Sequence, residues 1–131
     1  MAMLEVKNLF VSYASINALR GINFYVDQGE IVTLIGANGA GKSTTMNTIV
    51  GLIKPKSGQI LYNGEDITKA NPSYIVKNGI TLSPEGRQIF PRLTVYENLK
   101  MGAYTVTKEV MEKNLKQAFN LFPVLKERLK Q

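Results

Sequence analysis

The stretch "LIGANGAGKSTT", residues 34–45, constrains this chain more than any other part of it. It overlaps the end of the apolar run "IVTLI", residues 31–35, and its spacing is Gly36, four residues, then Gly41, Lys42 and Ser43. That is the pattern of a phosphate-cradling P-loop. A polyphosphate must be gripped by backbone N–H groups that come close from several sides. The missing Cβ at Gly36, Gly39 and Gly41 permits positive φ and close approach, and the N-terminus of a following helix adds about half a positive charge. Lys42 can then reach the β- and γ-phosphates of a triphosphate, and Ser43 can ligate a bridging Mg2+. The competing reading is a structural glycine turn ahead of a helix. It leaves unexplained why Lys-Ser stands in register between a strand pattern and a helix pattern.

The surrounding pattern supplies that context. Met3 to Leu9 and "INFYV", residues 22–26, read as strands, the second ending at the Asp27-Gln28-Gly29 turn. Residues 31–35 are β-branched or apolar throughout, which predicts a strand buried on both faces of a parallel sheet. Lys42 to Val50 has the length of a short helix stopping near Gly51. A strand is expected at Gln59 to Tyr62, a turn at Asn63-Gly64, a weak helix at about Ser73 to Lys77, and a further strand at "GITLS", residues 79–83. Thr94 reads as an N-cap for a helix to about Met101, with Glu97 completing a capping box. Lys108 to Leu121 places Met111, Leu115, Ala118 or Phe119, and Phe122 at helical spacing. The order is β-rich, then α/β, then helical.

Composition narrows the chemistry. The 131 residues include no cysteine, so disulfides and thiolate metal sites are excluded, and no histidine, which removes the commonest general base near neutral pH. The segment Met1 to Leu9 carries Glu5 and Lys7 among its apolar residues, unlike a membrane span or a secretory signal, so a cytosolic chain is expected. The formal charge of +6 could suit an anionic partner. Lys54 with Lys56, and Lys126 with Arg128 and Lys130, are short scattered groups that read as solvated faces, and no nucleic-acid partner is expected.

GTPases, kinases and transport ATPases share this phosphate cradle. No Asn-Lys-x-Asp guanine reader occurs, and only Arg87 and Arg92, on a Pro-containing stretch, could form a kinase-like arginine lid. The stretches "GANGAGKSTT", "GLIKPKSGQILYNGEDIT" and "SPEGRQIFPRLTVYENLKMGAY" together resemble the ATP-binding subunits of ABC transporters. The last resembles the ATPases of branched-chain amino acid importers, in which a Pro-Glu-Gly segment replaces a glutamine-containing loop. The resemblance implies the α/β P-loop NTPase fold, amino-terminal portion: an antiparallel β-subdomain with the P-loop core to about residue 93, and the start of a helical subdomain from about 94 to 131. It implies ATP and Mg2+ as cofactors. The implied partners are a second ATPase subunit and transmembrane permease subunits, through which the protein would sit on the inner face of the membrane.

Residue by residue, the resemblance implies nucleotide contacts at Gly36, Asn38, Gly39, Ala40, Gly41, Lys42, Ser43, Thr44 and Thr45. It places Tyr13 where an aromatic ring stacks on adenine. The alternatives are helix N-terminal capping for Thr44 and Thr45 and a plain strand-edge aromatic for Tyr13. Glu85 stands where most of the family has a glutamine that touches Mg2+ and the attacking water. Glutamate keeps the metal-ligating oxygen but loses the amide donor, which favours the metal role over water positioning; the alternative is a solvent-facing loop carboxylate. Phe90 and Leu93 would meet a coupling helix of the permease, or else be core residues under the loop.

The family's Leu-Ser-Gly-Gly-Gln-like signature, its Asp-Glu strand with the catalytic glutamate, and its switch histidine lie beyond residue 131 in the family's order. The expectation is that these 131 residues alone do not hydrolyse ATP, although Lys42, and Glu85 through the metal, belong to the catalytic set. "KSGQ", residues 56–59, reads as a turn before a strand rather than a signature, and "FYVD", residues 24–27, as a strand end. The alternative function is a self-standing nucleotide- or phosphate-binding module without catalysis.

Overall fold

The computed structural model describes residues 2–37, 39–86 and 88–131. They form two compact units, Met1–Leu82 and Ser83–Gln131.

The first unit is built on an antiparallel sheet. β1 (Leu4–Tyr13) pairs with β2 (Ile16–Val26) on one side and with β3 (Ser57–Tyr62) on the other, and β4 (Glu65–Asp66) closes the order β2-β1-β3-β4. Alternation turns Val6, Val11, Leu19 and Ile60 to one face, where they pack with Leu9, Ile67 and two helical isoleucines. Each such buried side chain stabilises the fold by roughly 1.5–3 kcal/mol. The helices are α1 (Lys42–Ile49), which contributes Ile49, and α2 (Pro72–Lys77), which contributes Ile75. Asn71 caps α2 by accepting from the Tyr74 amide at 2.8 Å, as its Asn-Pro start favours. Asn63 and Gly64 both have positive φ, 50° and 82°, which fits the tight hairpin expected there.

The sheet is bulged where the strands approach closely. Leu9 faces Ile22 but Phe10 faces Arg20, so Gly21 is the extra residue on β2. On β3, Gly58 has φ 101°, and a Cβ there would lie 2.3 Å from the Asn8 carbonyl oxygen. Only glycine lets β3 pair with β1 at this point.

Two expected strands do not form. Residues 31–35 are not in a strand, and Ile31 and Ile35 are 94% and 93% exposed. Residues 79–83 are likewise outside any strand, although Ile80 still packs on the core. A strand buried on both faces needs hydrogen-bonded neighbours. The four strands among the described residues bond to one another, and neither segment pairs with an edge of that sheet.

The second unit is helical. α3 (Val95–Met101) carries the expected capping box: Thr94 Oγ1 accepts from the Glu97 amide, and the Glu97 carboxylate accepts from the Thr94 amide at 2.8 Å. The Asn98 side chain accepts from the Phe90 amide and donates to the Phe90 carbonyl, tying the preceding loop to α3. α4 (Lys108–Leu121) is capped by Thr107, and α5 (Pro123–Glu127) follows at once. None of the described residues of this unit is fully buried. Among the described residues no helix is long and apolar enough to cross a membrane.

Candidate functional site

Gly39 to Gly41 lead directly into α1 at Lys42. Gly39 and Gly41 have φ 85° and 101°, and Gly41 is the N-cap of α1 with no side chain of its own to cap the helix. The helix adds its positive end at this point. Gly36 is not in the left-handed region. Its need for glycine is close approach, because a Cβ there would sit 3.1 Å from Ala40 Cβ. Asn38 lies outside the described residues.

Gly41 is held from behind by β2. A Cβ at this position would lie 2.6 Å from Leu19 Cδ2 and 3.2 Å from the Ala18 carbonyl oxygen. Leu19 is a core residue, so the loop rests on the hydrophobic centre of the sheet. The motif spacing carries no sign of this support; the only signal is that Leu19 is an apolar position on a strand.

Lys42 Nζ donates to the Gly36 carbonyl at 2.5 Å, folding the ammonium back across the mouth of the loop. Tyr13, 45% exposed, brings its hydroxyl to 3.5 Å from Thr44 Oγ1, so the aromatic ring on β1 and the first turn of α1 meet. Ser43 is exposed on the same turn. Thr45 differs: it is only 2% exposed, and its hydroxyl donates to the Gly41 carbonyl at 2.8 Å. That hydroxyl is a back-bond to the preceding turn of the helix rather than a cap, whereas the Thr44 hydroxyl is turned toward Tyr13.

The arrangement fits a magnesium-bound polyphosphate. Its donors are an ammonium, a hydroxyl and helix-terminal amides, which match phosphate oxygens. Among the described residues no group of three or more acidic, histidine or cysteine side chains gathers to hold a metal ion. A Mg2+ here would take protein oxygens singly and the rest from phosphate and water, as this ion commonly does.

Glu85 belongs to the second unit, on the exposed bend between Ser83 and Gln88, where its carbonyl accepts from Gln88 Nε2 at 3.1 Å. Further along the same unit, Phe90, Leu99, Met101, Tyr104 and Leu125 line an apolar recess of about 690 Å³. Phe90 and Leu93 are both exposed, so they are not core residues under the loop. "KSGQ" enters β3 at Ser57, and "FYVD" is the end of β2, with Asp27 just past Val26.

The sequence profile described as ABC transporter matches residues 19–131. Over 129 residues the chain is 44% identical to the high-affinity branched-chain amino acid transport ATP-binding protein BraG of Pseudomonas aeruginosa, covering 98% of this chain and 55% of that protein. It is 37% identical to the probable branched-chain amino acid transport ATP-binding protein LivF of Archaeoglobus fulgidus, over 95% of this chain and 52% of the relative. The chain thus spans about half the length of these curated relatives. Among solved structures, an ATP-binding subunit of an ABC transporter superposes with a TM-score of 0.84 at 37% identity, covering 98% of this chain and 53% of that one. A nucleotide-free ATP-binding cassette superposes with a TM-score of 0.81 at 26% identity, covering 100% of this chain and 57% of the other.

Proposed function

Because this chain belongs to the ABC transporter family, we propose that it is the ATP-gripping part of an importer ATPase that couples ATP binding and hydrolysis to uptake of branched-chain amino acids. The solute class is supported by the names of the two relatives at 44% and 37% identity. The observation that carries the binding reading is the Gly39–Gly41 loop leading into α1 with Lys42 Nζ parked on the Gly36 carbonyl. A phosphate oxygen offers that ammonium an anionic acceptor in place of a neutral one, so that both partners of the hydrogen bond carry charge.

In this proposal the loop amides from Gly36 to Gly41, with Asn38 and Ala40 between, wrap the phosphates, and Thr44 adds a hydroxyl. Lys42 compensates charge on the outer phosphates, and Ser43 supplies one oxygen to Mg2+. When bound, the metal neutralises charge that develops on the phosphates during transfer. Tyr13 offers its exposed ring to the adenine, where stacking selects for a flat base without discriminating strongly among bases. The apolar recess around Phe90 and Leu99 receives a helix of a permease subunit, which places the protein at the inner membrane face. A second ATPase subunit completes the hydrolytic site, so the 131-residue chain binds Mg-ATP without turning it over.

Calorimetry tests the binding reading. Mg-ATP should bind the chain, and Lys42→Ala should weaken binding at least tenfold, while the circular dichroism spectrum stays unchanged. Equal affinity for the two proteins, or no binding by the parent, would overturn it. Phosphate release at a rate normal for such ATPases from the isolated chain would overturn the assignment of hydrolysis to an assembly.

A further inference from the structure

The face of the sheet opposite the core carries a feature the nucleotide reading does not use. Phe10 on β1 faces Arg20 on β2 and Ser57 on β3. Residues directly opposite in antiparallel pairs project to the same side, so these three form a row across the strands. The next row, Val11 with Leu19, is buried on the other side, and Leu19 is the residue that backs Gly41. The Arg20 row therefore points away from the P-loop.

Phe10, Asn17, Arg20, Lys56 and Ser57 line a recess of about 550 Å³ on this face. The ring of Phe10 is fixed against the bulge glycine, where a Cβ on Gly21 would be 3.1 Å from Phe10 Cζ, yet it remains 39% exposed. The Lys56 amide donates to the Phe10 carbonyl at 2.7 Å, which anchors the lysine's backbone at the rim. The two cations have no structural employment. Lys54, two residues away, donates to the carbonyls of Lys69 and Ala70 and so clamps a loop. Arg20 and Lys56, by contrast, have neither an ion pair nor a side-chain hydrogen bond among the described residues. A guanidinium fork and an ammonium on either side of a fixed aromatic ring, with a hydroxyl and an amide beside them, match a phosphate group better than a solvated surface needs. The volume lies in the range of small-molecule sites.

We propose that this recess binds a small phosphate-bearing ligand, at a site separate from the P-loop. The test uses the isotope-labelled 131-residue chain carrying Lys42→Ala, which weakens the P-loop, titrated with inorganic pyrophosphate and, in parallel, with AMP while amide resonances are followed. Saturable shifts should centre on Phe10, Arg20, Lys56 and Ser57. Arg20→Gln with Lys56→Gln should weaken binding at least tenfold, while Lys69→Gln with Lys77→Gln, removing the same charge elsewhere in this unit, should change it by less than twofold. Tighter binding of AMP would identify a ring-bearing phosphate, and tighter binding of pyrophosphate a free one. Absence of shifts at the recess, shifts scattered over surface lysines, or equal weakening by both double variants would overturn the proposal.

Discussion

At the scale of single residues, two close contacts make sharp demands. Gly58→Ala would force a Cβ to within 2.3 Å of the Asn8 carbonyl oxygen at a φ of 101°. Strained backbone of this kind costs about 1–3 kcal/mol before any clash is counted. The variant should therefore lose at least about 2 kcal/mol in urea unfolding, and an unchanged midpoint would contradict the register given for β1 and β3. Asp66 makes a demand that depends on pH. Its carboxylate accepts from the Thr68 hydroxyl and amide, the hydroxyl being the larger influence, and this holds its pKa below the ordinary 3.8. Because the folded value is the lower one, the contribution is present above the ordinary aspartate range and is lost as pH falls through the folded value. Asp66→Asn should thus be less stable than the parent at pH 6, and the gap should narrow below about pH 4. A gap that stays constant to pH 2 would refute the linkage.

At the scale of elements, helix ends were legible and strands were not uniformly so. The Thr94 capping box and the whole of α4 could be located from local residues, because a cap and an i, i+4 stripe are satisfied within one turn. Thr94→Ala should lower the stability of the α3 region by about 1 kcal/mol, seen as faster amide exchange across residues 95–101 with no change at β1. Unchanged exchange there would mean that the box carries no weight. α5 has no cap signal beyond Pro123 and escapes a reading by pattern. Residues 31–35 show the reverse case: a strong strand composition without a strand, since strand hydrogen bonds belong to pairs of segments.

At the scale of the whole molecule, the two units differ in what holds them. Residues up to Leu82 enclose a core, whereas the described residues beyond it include none that is fully buried. The nearly complete exposure of Ile31 and Ile35 in an unpaired, strand-prone segment is a hazard for association. Sedimentation velocity should show concentration-dependent self-association of the chain, reduced by Ile31→Lys with Ile35→Lys. A parent protein that stays monomeric at all concentrations would contradict this. The candidate site divides in the same way. Gly36 to Ser43 could be read as a phosphate cradle from spacing alone, because its chemistry is local backbone geometry. That Leu19 backs Gly41 depends on a contact between separate segments, and the inward turn of Thr45 and the Lys42–Gly36 contact, though local, are not written in the motif spacing.

By itself the sequence determined the Thr94 cap, the hairpin at Asn63-Gly64 and the family, since each rests on residues that are neighbours along the chain or on a run of motifs in fixed order. Only the tertiary structure decided which apolar runs become strands, which glycine is needed for φ and which for space, and that Arg20, Phe10 and Lys56 share one recess. The reason is physical. Strand pairing, burial and charge clustering are properties of surfaces brought together from distant positions, and their free energy exists only once the partners are in contact.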